Sequence, residues 1–232
     1  MAQSGIHIAF GYSLKYFFSN KKIYFPSIIL GSILPDIDIL LFPIASISDK
    51  SKILIELFYK SFSHSIFTIF FIFLILSIIS EIKKNTKLII IRNGITIGLL
   101  LHVLLDSLLS FEGIQLLWPL PFSSFNLWYF IDIPNWLYNF LLSIEFFFFY
   151  YYAWFLISKH LNRPNKNSWI IKYLQYWKTF EIILFILFLL LTYLQLPNFL
   201  FLFSFAYLPS ILIAIWVTYK SQISLEIDYS IK

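Results

Sequence analysis

No cysteine occurs anywhere in these 232 residues. That absence excludes a disulfide framework and every thiolate-based metal site, so a metal held here must take His nitrogen or carboxylate oxygen. Charge is scarce as well: 17 Lys and Arg with 12 Asp and Glu make up only 12% of the chain. Apolar residues fill the space this leaves, at 59% hydrophobic, 22% aromatic and a mean hydropathy of +0.80. Such a composition excludes water as the main solvent. The formal charge of +5 does not argue for nucleic acid. Its basic residues fall in short clusters between apolar runs, as in loops facing an anionic leaflet, and no aromatic-basic motif accompanies them. Met1–Phe18 lacks the basic start, unbroken apolar stretch and cleavage site of a signal peptide, and is expected to belong to the mature fold.

Runs long enough to cross a bilayer, about 20 apolar residues each, cover Ser61–Ser80, Leu88–Ser110, Asn135–Ser158, Thr179–Leu196 and Phe199–Tyr219. A polar-interrupted run spans Ile23–Ala45, and a short one, Ile6–Phe18, carries Lys15. Phe, Ile and Tyr favour strands in water, but backbone amides in lipid must be satisfied within the segment, which selects helices. The predicted fold is all-α, a polytopic membrane helical bundle of about 5–7 membrane segments. It forms one domain, with the polar motifs in residues 1–135 and further transmembrane helices in 136–232.

Lys83, Lys84, Lys87 and Arg92 lie between the second and third long runs counted from Ile23, and Lys159, Arg163, Lys166, Lys172 and Lys178 between the fourth and fifth. Both clusters are expected on the cytoplasmic side. The Ser46–Lys60 loop then lies outside, where Lys50, Lys52 and Lys60 are partly offset by Asp49 and Glu56, and Phe111–Pro134 is external too. Trp169–Lys178 reads as a basic amphipathic loop, Phe146–Tyr152 as lipid-facing aromatic bulk and His160 as an exposed loop residue.

An Asp or Lys at a helix centre costs about 2.5–3.5 kcal/mol on insertion scales. The exceptions to avoidance gather at His7, at Asp36 and Asp38 in Gly31–Asp38, at His64, and at His102 with Asp106; Glu145 stands apart. His102 and Asp106 are four apart, so a helix places them on one side, suiting two ligands of one ion, a ligand and its orienting partner, or a plain hydrogen-bonded pair that locks two helices. Asp36 and Asp38 follow Pro35, where the helix is expected to break; in turn geometry both can face a cavity, or one can cap a helix. A lone intramembrane His can equally bond across a helix pair. Taken together, three of the four histidines and three of the twelve acids fall in short motifs at one expected depth. Separate packing needs do not explain that.

The ordered motifs over about residues 1–135 resemble those of the YdjM-like family of inner-membrane proteins, classed as metal-dependent hydrolases and distantly similar to zinc-dependent phospholipase C. The early His matches His7, the Gly-Ser-x-Leu-Pro-Asp-x-Asp element Gly31–Asp38, and Thr-His-Ser appears as Ser63-His64-Ser65. His-x-x-x-Asp matches His102 and Asp106, Gly-x-x-Leu-Leu-Trp-Pro matches Gly113–Pro119, and Ile-Asp-x matches Ile131–Ile133. The resemblance implies His7, Asp36, His64, His102 and Asp106 as metal ligands, with Asp38 a ligand or an acceptor behind one. The ion is divalent, zinc foremost, with manganese and iron also compatible. Asp38, Glu112 and Asp132 are the candidates for taking a proton, and Asp132 alternatively orients a ligand or caps the next helix. Tyr59-Lys60-Ser61 stands where the family often has His-Arg-Gly, leaving one imidazole fewer for a second metal.

The function these features lead to is a membrane-bound metal-dependent hydrolase whose site faces the extracytoplasmic side. The distant phospholipase likeness and the expected depth point to a lipid or lipid-linked phosphoester. Competing readings are a proton- or metal-coupled transporter, which predicts ionisable groups at several depths, and a scaffold with a closed structural metal.

Overall fold

Ser65 sets the first long helix. Its hydroxyl accepts the Phe67 N–H at 3.2 Å, capping a helix whose next residues are almost all Ile, Phe and Leu. Asn85 repeats the device, accepting the Lys87 N–H at 2.9 Å. Between them Lys84 turns the chain in the left-handed region at φ 45°. The computed structural model describes residues 4–13, 24–41, 55, 58–111, 113–162 and 168–226. Among these the helices are α1 (Ser4–Ser13), α2 (Tyr24–Ile33), α3 (Ile66–Lys83), α4 (Thr86–Leu109), α5 (Asn135–Leu161), α6 (Ser168–Tyr193) and α7 (Phe199–Glu226). Leu34–Leu40 continues α2 as a 3-10 helix, and Phe62–His64 forms a 3-10 turn before α3. No strand occurs among the described residues beyond one antiparallel bridge, Ile114 with Phe125.

Helices α3 to α7 are each long and apolar enough to cross a membrane. They account for the five long predicted runs. Within Ile23–Ala45 the described residues form α2 and its 3-10 extension, and within Ile6–Phe18 they belong to the short α1. Two apolar groups pack the bundle. The larger joins α1, α2 and α5–α7 around Ile8, Ile29, Phe146, Phe149, Phe188 and Tyr207; the smaller joins α3, α4 and Ile114.

Several expectations need correction. Trp169–Lys178 is not a loop but the first third of α6, because its apolar positions recur at helical spacing and bury Ile170, Leu174 and Trp177. His160 is not exposed: it lies on α5 at 3% exposure, with Nε2 3.0 Å from Ser221 Oγ on α7. Nor is Phe146–Tyr152 merely lipid-facing. Phe146, Phe149 and Tyr152 are in the core while Phe147 and Tyr151 face outward, since a helix turns successive residues by about 100°.

The α2–α4 crossing positions the polar motifs. A Cβ on Gly98 would collide with the Ile28 carbonyl, and one on Gly31 with the Ile95 carbonyl. These two glycines let the helix backbones touch, as small residues do in membrane bundles.

Candidate metal centre

Close approach at Gly31 and Gly98 brings His102, one turn further along α4, to the end of α2, where Nδ1 donates to the Ser32 carbonyl at 2.7 Å. That bond assigns the proton to Nδ1 and leaves Nε2 bare, the arrangement typical of ligating histidines. His64 is anchored in the same way from another direction. Its Nδ1 lies 2.8 Å from Ser63 Oγ, whose hydroxyl donates to Asp38 Oδ2 at 2.8 Å. Both anchors turn the Nε2 atoms toward one point, 3.1 Å apart.

Carboxylates close around that point. Asp106 Oδ2 is 3.2 Å from His64 Nε2 and 3.9 Å from His102 Nε2, while Asp36 Oδ1 is 3.7 Å from His102 Nε2. His7 comes from α1, its Nε2 3.2 Å from Asp106 Oδ1 and its ring centroid 3.9 Å from that of His102. The donors form two triads sharing His102: His7, His102 and Asp106, and Asp36, His64 and His102, with donor atoms within 4.8 Å of one another in each. All five residues are at most 1% exposed.

The 3-10 geometry after Pro35 explains how two acids in Asp-x-Asp serve one centre from two sides. With three residues per turn, positions two apart are offset by about 120°. Asp36 faces the imidazoles and accepts from Ser4 Oγ at 2.5 Å, and Asp38 accepts the Lys60 N–H at 2.9 Å and sits 3.5 Å from His64 Nδ1. Asp38 thus stands behind His64 rather than among the inner donors.

Asp36 Oδ1 and Asp106 Oδ2, the oxygens turned toward the bare imidazole nitrogens, have no hydrogen-bond partner among the described residues. A buried polar atom left without one costs about 1–3 kcal/mol, more when charged. Two orphaned carboxylate oxygens facing two lone pairs fit a hard or borderline divalent cation, and the lack of thiolates fits the same choice.

Three residues outside the predicted set belong here. Lys60, taken above as an external loop charge, is 3% exposed, with Nζ 2.7 Å from Ser110 Oγ and 3.8 Å from Asp106 Oδ2. Its place in the family motif, where an Arg is usual, was the available clue. Glu145, fully buried on α5, accepts the Gly5 N–H at 2.8 Å, holding the first turn of α1 and therefore His7. Tyr207 joins it, accepting from the Ser4 N–H at 2.9 Å and donating toward Glu145 Oε2 at 3.5 Å. Nothing in local sequence links α5 or α7 to residue 4.

Of the proton acceptors expected from sequence, only Asp38 lies in this network. Asp132 is exposed in the stretch before α5 and takes no part in these bonds; α5 itself starts after Pro134 with no side-chain cap. Glu112 lies outside the described residues. The Gly113–Pro119 motif clamps the His64 turn: Gln115 N–H bonds to the Lys60 carbonyl at 3.0 Å, Ile66 N–H to Leu116 at 2.9 Å, and Ser65 Oγ donates to the Trp118 carbonyl at 2.6 Å.

Fold and centre together define a polytopic helical membrane protein with a buried cluster of imidazoles and carboxylates able to hold a metal. Residues 2–221, nearly the whole chain, match the YdjM inner membrane protein family, and the chain belongs to that family. No curated protein and no solved structure matches it. The match speaks for the family and leaves the likeness to phospholipase C without support.

Proposed function

We propose that the protein is a metal-dependent hydrolase of the inner membrane, acting on a phosphoester of a lipid or lipid-linked substrate. The observation that carries this reading is the aim of the donor atoms. Bare nitrogens of His64 and His102 and orphaned oxygens of Asp36 and Asp106 turn to one buried point, with His7 beside them. These five residues would hold the ion, zinc foremost. When bound, it supplies Lewis acidity toward a phosphoryl oxygen and lowers the pKa of water.

The chain's own residues supply the remainder. Asp38, its side chain nearly buried and 3.5 Å from His64 Nδ1, is the group to take a proton, within reach of the Ser63 hydroxyl that already bonds to it. Lys60 brings a buried ammonium to the same side as Asp106 and favours an anionic phosphoryl group. Lys83, Lys84, Lys87 and Lys159 cluster at the opposite ends of the spans, which by the positive-inside tendency supports a centre toward the extracytoplasmic face.

The test is metal analysis of detergent-purified protein beside a His102→Ala, Asp106→Ala double variant. Stoichiometric metal in the parent, absent from the variant, is expected, with cleavage of phosphodiester lipids only by the metal-loaded form. Protein that binds no metal, or that carries proton-coupled flux in vesicles without hydrolysis, overturns the reading.

A further inference from the structure

Asp38 and Ser63 do more than hold His64: both also line a cavity of about 470 Å³ between the 3-10 segment, the His64 turn, α3 and α4. The remaining walls are almost wholly apolar, Pro35, Phe62, Ile72 and Leu99 among them, with Thr68 half way along. Polarity falls in one direction. Ile72 lies six residues beyond Ile66 along α3, about 9 Å deeper by helical rise, and Leu99 lies three residues before His102 on α4, again away from the centre. At the other end Phe58 and Phe62 reach the outer face of the bundle, 37% and 47% exposed. They pack against Trp118 at 6.0 and 5.5 Å, and tryptophan concentrates where a membrane meets water.

The cavity therefore has a polar end beside the metal donors, a mouth at the interfacial level and an apolar interior running inward along two spans. We propose that it binds one acyl chain of a membrane lipid, setting the chain's ester-linked end at Asp38 and Ser63. A sugar or peptide would lose hydrogen bonds to water that these walls cannot replace. A methylene chain loses none, and it restores the dispersion contacts an empty apolar lining lacks. The volume is in the usual range for a ligand site, about 300–1,000 Å³. As a substrate site the cavity rests on the hydrolase reading; as a lipid site it does not.

The full chain, reconstituted in phosphatidylethanolamine–phosphatidylglycerol vesicles with a trace of phosphatidylglycerol bearing a diazirine near the acyl terminus, is irradiated and its adducts mapped by mass spectrometry. Ile72→Trp narrows the cavity from α3, and Thr68→Leu does so with a smaller change that guards against misfolding. Adducts are expected on the peptides of Ile72 and Leu99, about tenfold above those on the outward face of α6 at Ile183 and Leu190, the ratio that 1.4 kcal/mol of preference gives. Both variants should reduce that excess, Ile72→Trp the more. Equal labelling of the two regions, unchanged by the variants, would mean annular lipid only and overturns the proposal. Metal content of the same samples separates the two ideas: selective labelling in protein that binds no metal keeps the lipid site and sinks the hydrolase, and the converse result does the reverse.

Discussion

His102 is the one side chain common to both donor triads, so the centre should not survive its loss. His102→Ala is expected to abolish metal retention, whereas His7→Ala leaves the Asp36–His64–His102 triad and should weaken binding only in part; equal retention by both would refute a shared donor. Ser63 acts one bond further out. It orients His64 through Nδ1, and partners of this kind are worth about 10–100-fold in metal affinity. Ser63→Ala should show a loss of that size by competition with a metal-sensitive dye, and Ser63→Thr should restore it. Glu145 holds α1 rather than the ion. Glu145→Ala leaves the buried Gly5 N–H unpaired, at about 1–3 kcal/mol, while Glu145→Gln keeps an acceptor there and should unfold close to the parent in denaturant.

Elements act through their contacts. The backbones of α2 and α4 meet at Gly31 and Gly98, and overpacking of such a seam costs about 1–3 kcal/mol or more. Gly98→Val should lower the unfolding midpoint in detergent and also reduce metal content, because His102 loses its Ser32 anchor. Gly11→Ala is the control, since a Cβ there meets only Ile28 Cγ2 at 4.0 Å; if both substitutions behave alike, the close crossing is not what sets the centre. The 3-10 segment after Pro35 is the second device, aiming Asp36 and Asp38 differently from one short motif. The break at Pro35 could be read in the sequence, but the angle between the two carboxylates could not, because turn and 3-10 geometries start from the same residues.

For the whole molecule, a bound ion stabilises the folded state by mass action, about 2.7 kcal/mol when free metal is 100-fold above its dissociation constant. A chelator should therefore lower the Tm of the parent and leave that of His102→Ala unmoved. No shift in the parent would mean that the folded protein holds no ion. The helices from α5 to α7, which carry none of the predicted ligands, reach the centre through Glu145 and Tyr207. Helices α5 and α7 thus pack with the first turn of α1.

Hydropathy alone was sufficient for the five long helices and their order, because lipid forces every apolar run of that length into a hydrogen-bonded helix. Spacing alone was sufficient to pair His102 with Asp106, four residues apart on one helix face. Packing decided the rest. Burial of Lys60 and His160, the hold of Glu145 on α1 and the convergence of His7, Asp36 and His64 on His102 all join residues distant in the chain. Such contacts depend on how closely helix backbones approach and at what angle, which a one-dimensional pattern of polar and apolar residues does not encode.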